Sequence, residues 1–233
     1  MIRLEAAEVT VADPATGPRG PGRRILGPVS LELAEQRIAF IGANGSGKST
    51  LLRLLNGLVL PSAGRVRVGE LDPVRDGRRV RRQVGFVFTD PLAQLVMATP
   101  ADDVELSLRA SIPDRTARRA TARRLLAERG LAQLADQSVY DLSGGERQLV
   151  ALTSVLACGP AIVVADEPTT LLDLRNRNQV RAALFGLEQQ VLVATHDLAM
   201  AAEADRVIVI DHGVVTADGE PRAAIDHYRR LMA

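Results

Sequence analysis

The run Ile38-Ala-Phe-Ile-Gly42-Ala-Asn-Gly-Ser-Gly-Lys48-Ser49-Thr50 sets the architecture of this chain. Arg37 to Ile41 is a short apolar stretch that stops at a glycine-rich turn. From Ser49 leucines recur at helical spacing (Leu51, Leu52, Leu54, Leu55 and Leu58), and Gly57 and Pro61 close the helix. A strand, a glycine loop and a helix in succession form the context in which G-x-x-x-x-G-K-[ST] acts as a phosphate-binding loop. Gly42, Gly45 and Gly47 permit tight turns, so main-chain N–H groups can surround an anion at a helix N-terminus. Lys48 is the only lysine in the chain; every other Lys/Arg position is arginine. A compact ammonium reaches between phosphate oxygens where a planar guanidinium fork does not fit. Gly42, Ala43, Asn44, Gly45, Ser46, Gly47, Lys48, Ser49 and Thr50 are therefore expected to hold a nucleoside triphosphate. Lys48 would sit on the β- and γ-phosphates and the Ser49 hydroxyl on Mg²⁺.

Working outward, 233 residues suit one α/β domain with a sizeable core. An apolar fraction of 46% and a charged fraction of 24% are ordinary for a globular protein. A net charge of +1 gives no reason to expect nucleic acid as partner. The five arginines from Arg75 to Arg82 have no interleaved aromatics and read as a solvated face. Cys158 is the sole cysteine, so no intramolecular disulfide is possible and a reducing compartment is the natural reading. Arg3, Glu5 and Glu8 interrupt the N-terminus, and no stretch approaches the roughly 20 apolar residues of a spanning helix. Any membrane role must then be peripheral.

Ile2 to Val11 reads as a strand, Pro14 to Gly27 as an exposed loop, and Val29 to Leu33 as a half-buried strand. Gly64 to Val68 and Val84 to Phe88 read as further strands. Ile162 to Ala165, Val191 to Ala194 and Val207 to Ile210 are continuous apolar runs, the pattern of parallel strands covered on both faces. Asp211-His-Gly213 reads as a hairpin turn into Val214 to Thr216. Between the halves, Asp102 to about Leu134 is Ala/Arg/Leu-rich and helical, broken at Pro113, and Ser143 opens a helix to Ala157. The expected fold is a phosphate-loop α/β core with a mainly parallel sheet and an N-terminal antiparallel β region. A helical subdomain, roughly residues 95–157, is expected as an insertion within one domain of residues 1–233.

Two further segments carry chemistry. Ala161-Ile-Val-Val-Ala-Asp166-Glu167-Pro168 is an apolar strand ending in two carboxylates, at the strand edge where α/β proteins bind ligands. Successive strand side chains point to opposite faces, which predicts different tasks for the pair. Asp166 suits the Mg²⁺ site, and Glu167 suits polarisation or deprotonation of an attacking water. Leu142-Ser143-Gly144-Gly145-Glu146 places small residues and a hydroxyl at a helix start, which serves both as an N-cap and as an anion site.

Together these residues resemble the ATP-binding cassette (ABC) family of ATPases, and the resemblance covers essentially the whole chain. Leu142-Ser-Gly-Gly-Glu146 is similar to that family's signature sequence, and the order of loop, helical insertion, signature and carboxylate strand agrees. His196 lies at the position of the family's switch histidine, and Asp173, in Thr170-Leu-Leu-Asp173, at that of the loop touching the opposite subunit. The resemblance implies two cassettes, identical or paralogous, paired head to tail. Each ATP would be bound by one subunit's Lys48 loop and by Ser143, Gly144, Gly145 and Glu146 of the other. Glu167, His196 and Lys48 would be catalytic, with Ser49 and Asp166 on Mg²⁺. The chain departs from the family at Thr89, where glutamine is usual; its hydroxyl is a shorter candidate for the metal. It also lacks the aromatic that commonly stacks on adenine, since Val11, Ala12 and Asp13 offer none.

Thr89-Asp90-Pro91-Leu-Ala-Gln94-Leu95 resembles the Q-N/D-P-x-x-Q stretch of energy-coupling-factor transporter ATPases, apart from Thr89. That branch works at the cytoplasmic membrane face with an integral coupling subunit and a membrane solute-binding subunit. It imports vitamins or metal ions such as biotin, cobalt or nickel, and no nucleic acid is implied. Two other readings stay open: a soluble family member in cofactor assembly, and a poorly hydrolysing regulatory subunit. Retention of both Glu167 and His196 argues against the second.

Overall fold

The computed structural model describes residues 1–12 and 22–233. Strands β1 (Ile2–Val11), β2 (Arg23–Leu33) and β4 (Ala63–Val68) form an antiparallel sheet in the order β2-β1-β4. The second sheet contains β3 (Arg37–Ile41), β5 (Val84–Val87), β6 (Ile162–Asp166), β7 (Gln190–Ala194), β8 (Arg206–Asp211) and β9 (Val214–Gly219). Its order is β5-β6-β7-β3-β8-β9, and only β9 runs antiparallel, returning through the turn at His212 and Gly213.

The central strands are apolar throughout because both faces are covered. Ile38, Phe40, Ile162, Val164, Leu192, Ala194, Ile208 and Ile210 face one core, which includes the antiparallel sheet and helix α1 (Lys48–Asn56). Ala39, Ile41, Val163, Ala165, Val193, Val207 and Val209 face the other core. That second core is completed by helices α3 (Pro100–Ser107), α4 (Arg115–Ala127) and α5 (Gly144–Ala157), which run between β5 and β6 with a break at Pro113. Helices α2 (Pro73–Gln83), α6 (Leu174–Phe185), α7 (Leu198–Ala201) and α8 (Pro221–Met232) complete the fold.

One expectation changes and one is refined. The loop expected over Pro14–Gly27 falls partly outside the described residues, as does Asp13. Its described end, Arg23 to Gly27, extends β2, because Arg23, Arg24 and Leu26 pair with Val11, Thr10 and Val9. The Arg75–Arg82 run is helix α2, started by Asp72, whose side chain accepts from the Val74 N–H, and by Pro73. Its five arginines are exposed, as expected of a solvated face.

Candidate functional site

The sheet order places β6, β7 and β3 side by side, so their C-terminal ends converge where the strand sequence switches direction. The main-chain N–H of Thr195 bonds Phe40 O at 3.0 Å and that of Glu167 bonds Ala194 O at 2.9 Å, which fixes the three ends to one another. The Lys48 loop leaves β3, the carboxylate pair ends β6, and His196 follows β7.

Within the loop, Gly42 has φ 155° and a Cβ there would lie 2.0 Å from Ile210 O, so no other residue fits. Gly47, the N-cap of α1, has φ 108° and supplies no side-chain cap, which leaves first-turn N–H groups of α1 free for an anion. Lys48 is buried, and its Nζ donates to Gly42 O at 2.8 Å and Ala43 O at 3.0 Å. Desolvation holds this ammonium below the ordinary lysine range, opposed by the charges of Glu167 and Asp166. A buried cation whose hydrogen bonds go only to carbonyls of its own loop can exchange them for the oxygens of a polyanion.

The Ser49 hydroxyl donates to Asp166 Oδ1 at 2.8 Å. Burial pushes the Asp166 carboxyl above the ordinary carboxylate range, although Ser49 and the nearby Arg53 oppose the shift. This hydroxyl and carboxylate are hard oxygen donors of the kind Mg²⁺ takes. Among the described residues no cluster of three or more His, Cys, Asp or Glu could cage a metal ion. Mg²⁺ held by one or two protein oxygens, with substrate phosphates and water, needs no such cage.

Glu167 differs from the sequence expectation in how it is separated from Asp166. It lies one residue beyond β6 with φ 50°, so a left-handed backbone step, and not strand alternation, turns its carboxylate away. Its Oε2 meets His196 Nδ1 at 2.6 Å and accepts from Thr170 Oγ1 at 3.2 Å and the His196 N–H at 3.3 Å. Its Oε1 is buried without a hydrogen-bond partner, 3.9 Å from Lys48 Nζ.

The loop residues Gly42, Ala43 and Asn44 line one cavity of about 490 Å³ with Thr89, Glu167, Thr170, His196 and Tyr228. Tyr228, on α8, reaches this cavity from far along the chain, and no local sequence pattern marks it. Thr89 donates its hydroxyl to Asp166 O at 2.8 Å, tying the end of β5 to that of β6. Gln94 and Gln148 brace the residue before it: Phe88 N–H donates to Gln94 Oε1 at 3.2 Å, and Gln148 Nε2 donates to Phe88 O at 3.1 Å.

The signature residues stand apart from that cavity. Ser143 and Glu146 form a reciprocal capping box at the start of α5, with Ser143 N–H donating to Glu146 Oε2 at 2.8 Å. Ser143 and Gly144 are exposed, whereas Gly145 is buried against Asn176, whose side chain would lie 2.5 Å from an added Cβ. Asp173 caps α6 by accepting from the Asn176 N–H at 2.8 Å.

Comparison with known proteins places this geometry. The profile of the family described as ABC transporter matches residues 26–170. The chain is 41% identical to the biotin transport ATP-binding protein BioM of Rhizobium etli, over 91% of this chain and 95% of that protein. It is 38% identical to the energy-coupling factor transporter ATP-binding protein EcfA1 of Bacillus subtilis, over 90% of this chain and 77% of that one. The dimeric ATP-binding cassette MJ0796, solved in a post-hydrolysis state with ADP and Pi, superposes with a TM-score of 0.82 at 29% identity, over 95% of this chain and 99% of that one. With a phosphate loop, a capped signature helix and a strand-end carboxylate pair joined to a histidine, the chain belongs to the ABC transporter family of ATPases.

Proposed function

We propose that this chain is the ATP-hydrolysing subunit of a membrane importer for a vitamin or metal ion, biotin first among the candidates. It would work as a cassette pair on the cytoplasmic face, with an integral coupling subunit and a membrane solute-binding subunit. The observation that carries the reading is the Glu167 carboxylate, held on one oxygen by His196 and left free on the other beside Lys48.

ATP lies in the loop of residues 42–50, and the Lys48 ammonium exchanges its two carbonyl partners for β- and γ-phosphate oxygens. Ser49 and Asp166 would hold Mg²⁺, which would supply charge neutralisation for the triphosphate. Glu167 Oε1 accepts a proton from the attacking water, while His196 and Thr170 keep the carboxylate aimed. Lys48 and the amides of the loop stabilise the charge that develops on the transferred phosphoryl group. Because Ser143 and Gly144 are exposed and lie outside this cavity, they are available to a second cassette's γ-phosphate. The helices between β5 and β6, taken as the inserted subdomain, offer the membrane partner a groove of about 330 Å³ lined by Met97, Asp102, Leu106, Arg109 and Arg118, with Val96 exposed beside it.

Relatives named for biotin and energy-coupling-factor transport support the importer reading. Glu167→Gln tests the chemistry: kcat for ATP should fall about 10²- to 10⁴-fold while ATP-driven dimerisation persists. Undiminished turnover in that variant would take the base role away from Glu167. Biotin uptake by cells carrying the chain with its membrane partners tests the cargo.

A further inference from the structure

Helix α6 carries two arginines one turn apart that reach the segment after β7. Arg177 Nη1 lies 3.7 Å from Asp197 Oδ2, and Arg181 Nη1 lies 3.3 Å from Glu203 Oε1. Although both are ion pairs between the same two elements, the two acids have different surroundings. Glu203 is 49% exposed and lies beyond the end of α7. The Asp197 side chain is 11% exposed and directly follows His196. Its Oδ1 accepts from the N–H groups of Ala199 and Met200, and its own N–H donates to Thr195 Oγ1. Asp197 is thus the knot that shapes the backbone around His196, and Arg177 is the cation on its remaining oxygen. Arg177 Nε is buried without a hydrogen-bond partner, although the side chain as a whole is 41% exposed.

The other side of Arg177 is equally constrained. Its neighbour Asn176 donates to Asp173 Oδ2 at 3.0 Å and sits where a Cβ on Gly145 would fall. The first turn of α6 is therefore seated directly under the start of the signature helix. An element touching the signature turn at one residue reaches the histidine segment at the next.

We propose that Arg177 is a positioning residue for ATP hydrolysis. By holding Asp197 it keeps the His196 segment, and hence the His196–Glu167 pair, in register with α6 and the signature turn. The inference rests on the reading of Glu167 and His196 as the hydrolytic pair. It makes the matched pair one turn later, Arg181 with Glu203, a contact that ends on an exposed carboxylate outside the His196 segment and has no consequence for turnover.

The test is steady-state ATPase kinetics of the full-length chain with Mg²⁺ and ATP, alongside binding of a fluorescent ATP analogue. The variants are Arg177→Ala, Arg177→Lys, Asp197→Asn, the Arg177→Ala/Asp197→Asn double, and Arg181→Ala. Arg177→Ala should lower kcat about tenfold or more with analogue Kd changed less than about twofold, the split expected when only the chemical step loses its geometry. Arg177→Lys should recover most of the loss, Arg181→Ala should match wild type, and the double variant should be no worse than the poorer single one. Equal losses in Arg177→Ala and Arg181→Ala, additive losses in the double variant, or a defect confined to binding would overturn the inference. Should Arg177→Ala fail to fold, Arg177→Lys and Asp197→Asn probe the same pair from either side. Glu167→Gln and His196→Ala run in parallel separate the two levels: wild-type turnover in both would remove the hydrolytic pair itself. A loss there with no loss at Arg177 removes only the positioning role.

Discussion

Replacing Lys48 by arginine keeps the charge and changes only shape, so it isolates why the chain's single lysine stands here. The ammonium is 6% exposed at the side chain and donates to two carbonyls of its own loop at 2.8 and 3.0 Å, with Glu167 Oε1 at 3.9 Å. A guanidinium is longer and planar, and its donors diverge in a fixed fork. In this pocket the extra atoms must displace the loop backbone or push into the space that phosphate oxygens would take. Forcing extra heavy atoms into a well-packed site costs about 1–3 kcal/mol. If that strain falls on the bound state, it corresponds to a loss of roughly 5- to 150-fold in kcat/KM at about 1.4 kcal/mol per decade. Desolvation already holds the Lys48 ammonium below its ordinary range, whereas arginine stays protonated in any environment, so the variant cannot relieve the burial of its charge. Steady-state ATPase kinetics of Lys48→Arg with a thermal melt of the nucleotide-free protein provide the assay. Wild-type kcat/KM would refute the argument from shape and leave charge as the only requirement at this position.

The loop glycines should separate cleanly. Gly42→Ala places a Cβ 2.0 Å from Ile210 O and should lower stability by at least about 3 kcal/mol. Gly45→Ala meets nothing within 4 Å and costs only the strain of φ 79°, about 1–2 kcal/mol, measurable by urea unfolding. Ser143→Ala removes the capping-box hydroxyl and should cost about 1 kcal/mol, whereas Ser143→Gly should cost a few tenths. If Ser143 serves a partner's nucleotide, both variants should lose ATP-driven dimerisation equally in size-exclusion runs, despite their different stabilities. Burial raises the Asp166 carboxyl, so the folded chain holds that proton more tightly than the unfolded chain does. The penalty is absent when both states are protonated and complete above the folded-state pKa. Asp166→Asn should therefore raise the melting temperature at pH 7 while abolishing hydrolysis. The gain should shrink as the melts are repeated toward acid pH.

What the sequence makes legible here follows from how local each constraint is. The central strands β3, β6, β7 and β8 stand out as unbroken apolar runs because cores lie on both faces. The phosphate loop is legible because Gly42 and Gly47 occupy backbone conformations that exclude side chains, and glycine records that directly. Helices with thin apolar stripes are a different matter. In α2 only Pro73 and Val80 are buried, and in α6 only Val180 and Leu184, so each offers two buried apolar positions where α1 offers four leucines. The β2 extension is hidden for another reason: Pro14 to Gly27 reads as a loop, yet Arg23, Arg24 and Leu26 pair with β1. Least legible are groups whose meaning lies across the chain. Tyr228 enters the site from α8, Thr89 spends its hydroxyl on the Asp166 carbonyl, and Arg177 reads in isolation as one more exposed arginine on a polar helix. Motifs mark where phosphates would go, because phosphate binding constrains consecutive backbone. The alignment of Glu167 and His196 depends on single side-chain pairs between distant elements, and such a pair is visible only once β6, β7 and α6 are set against one another.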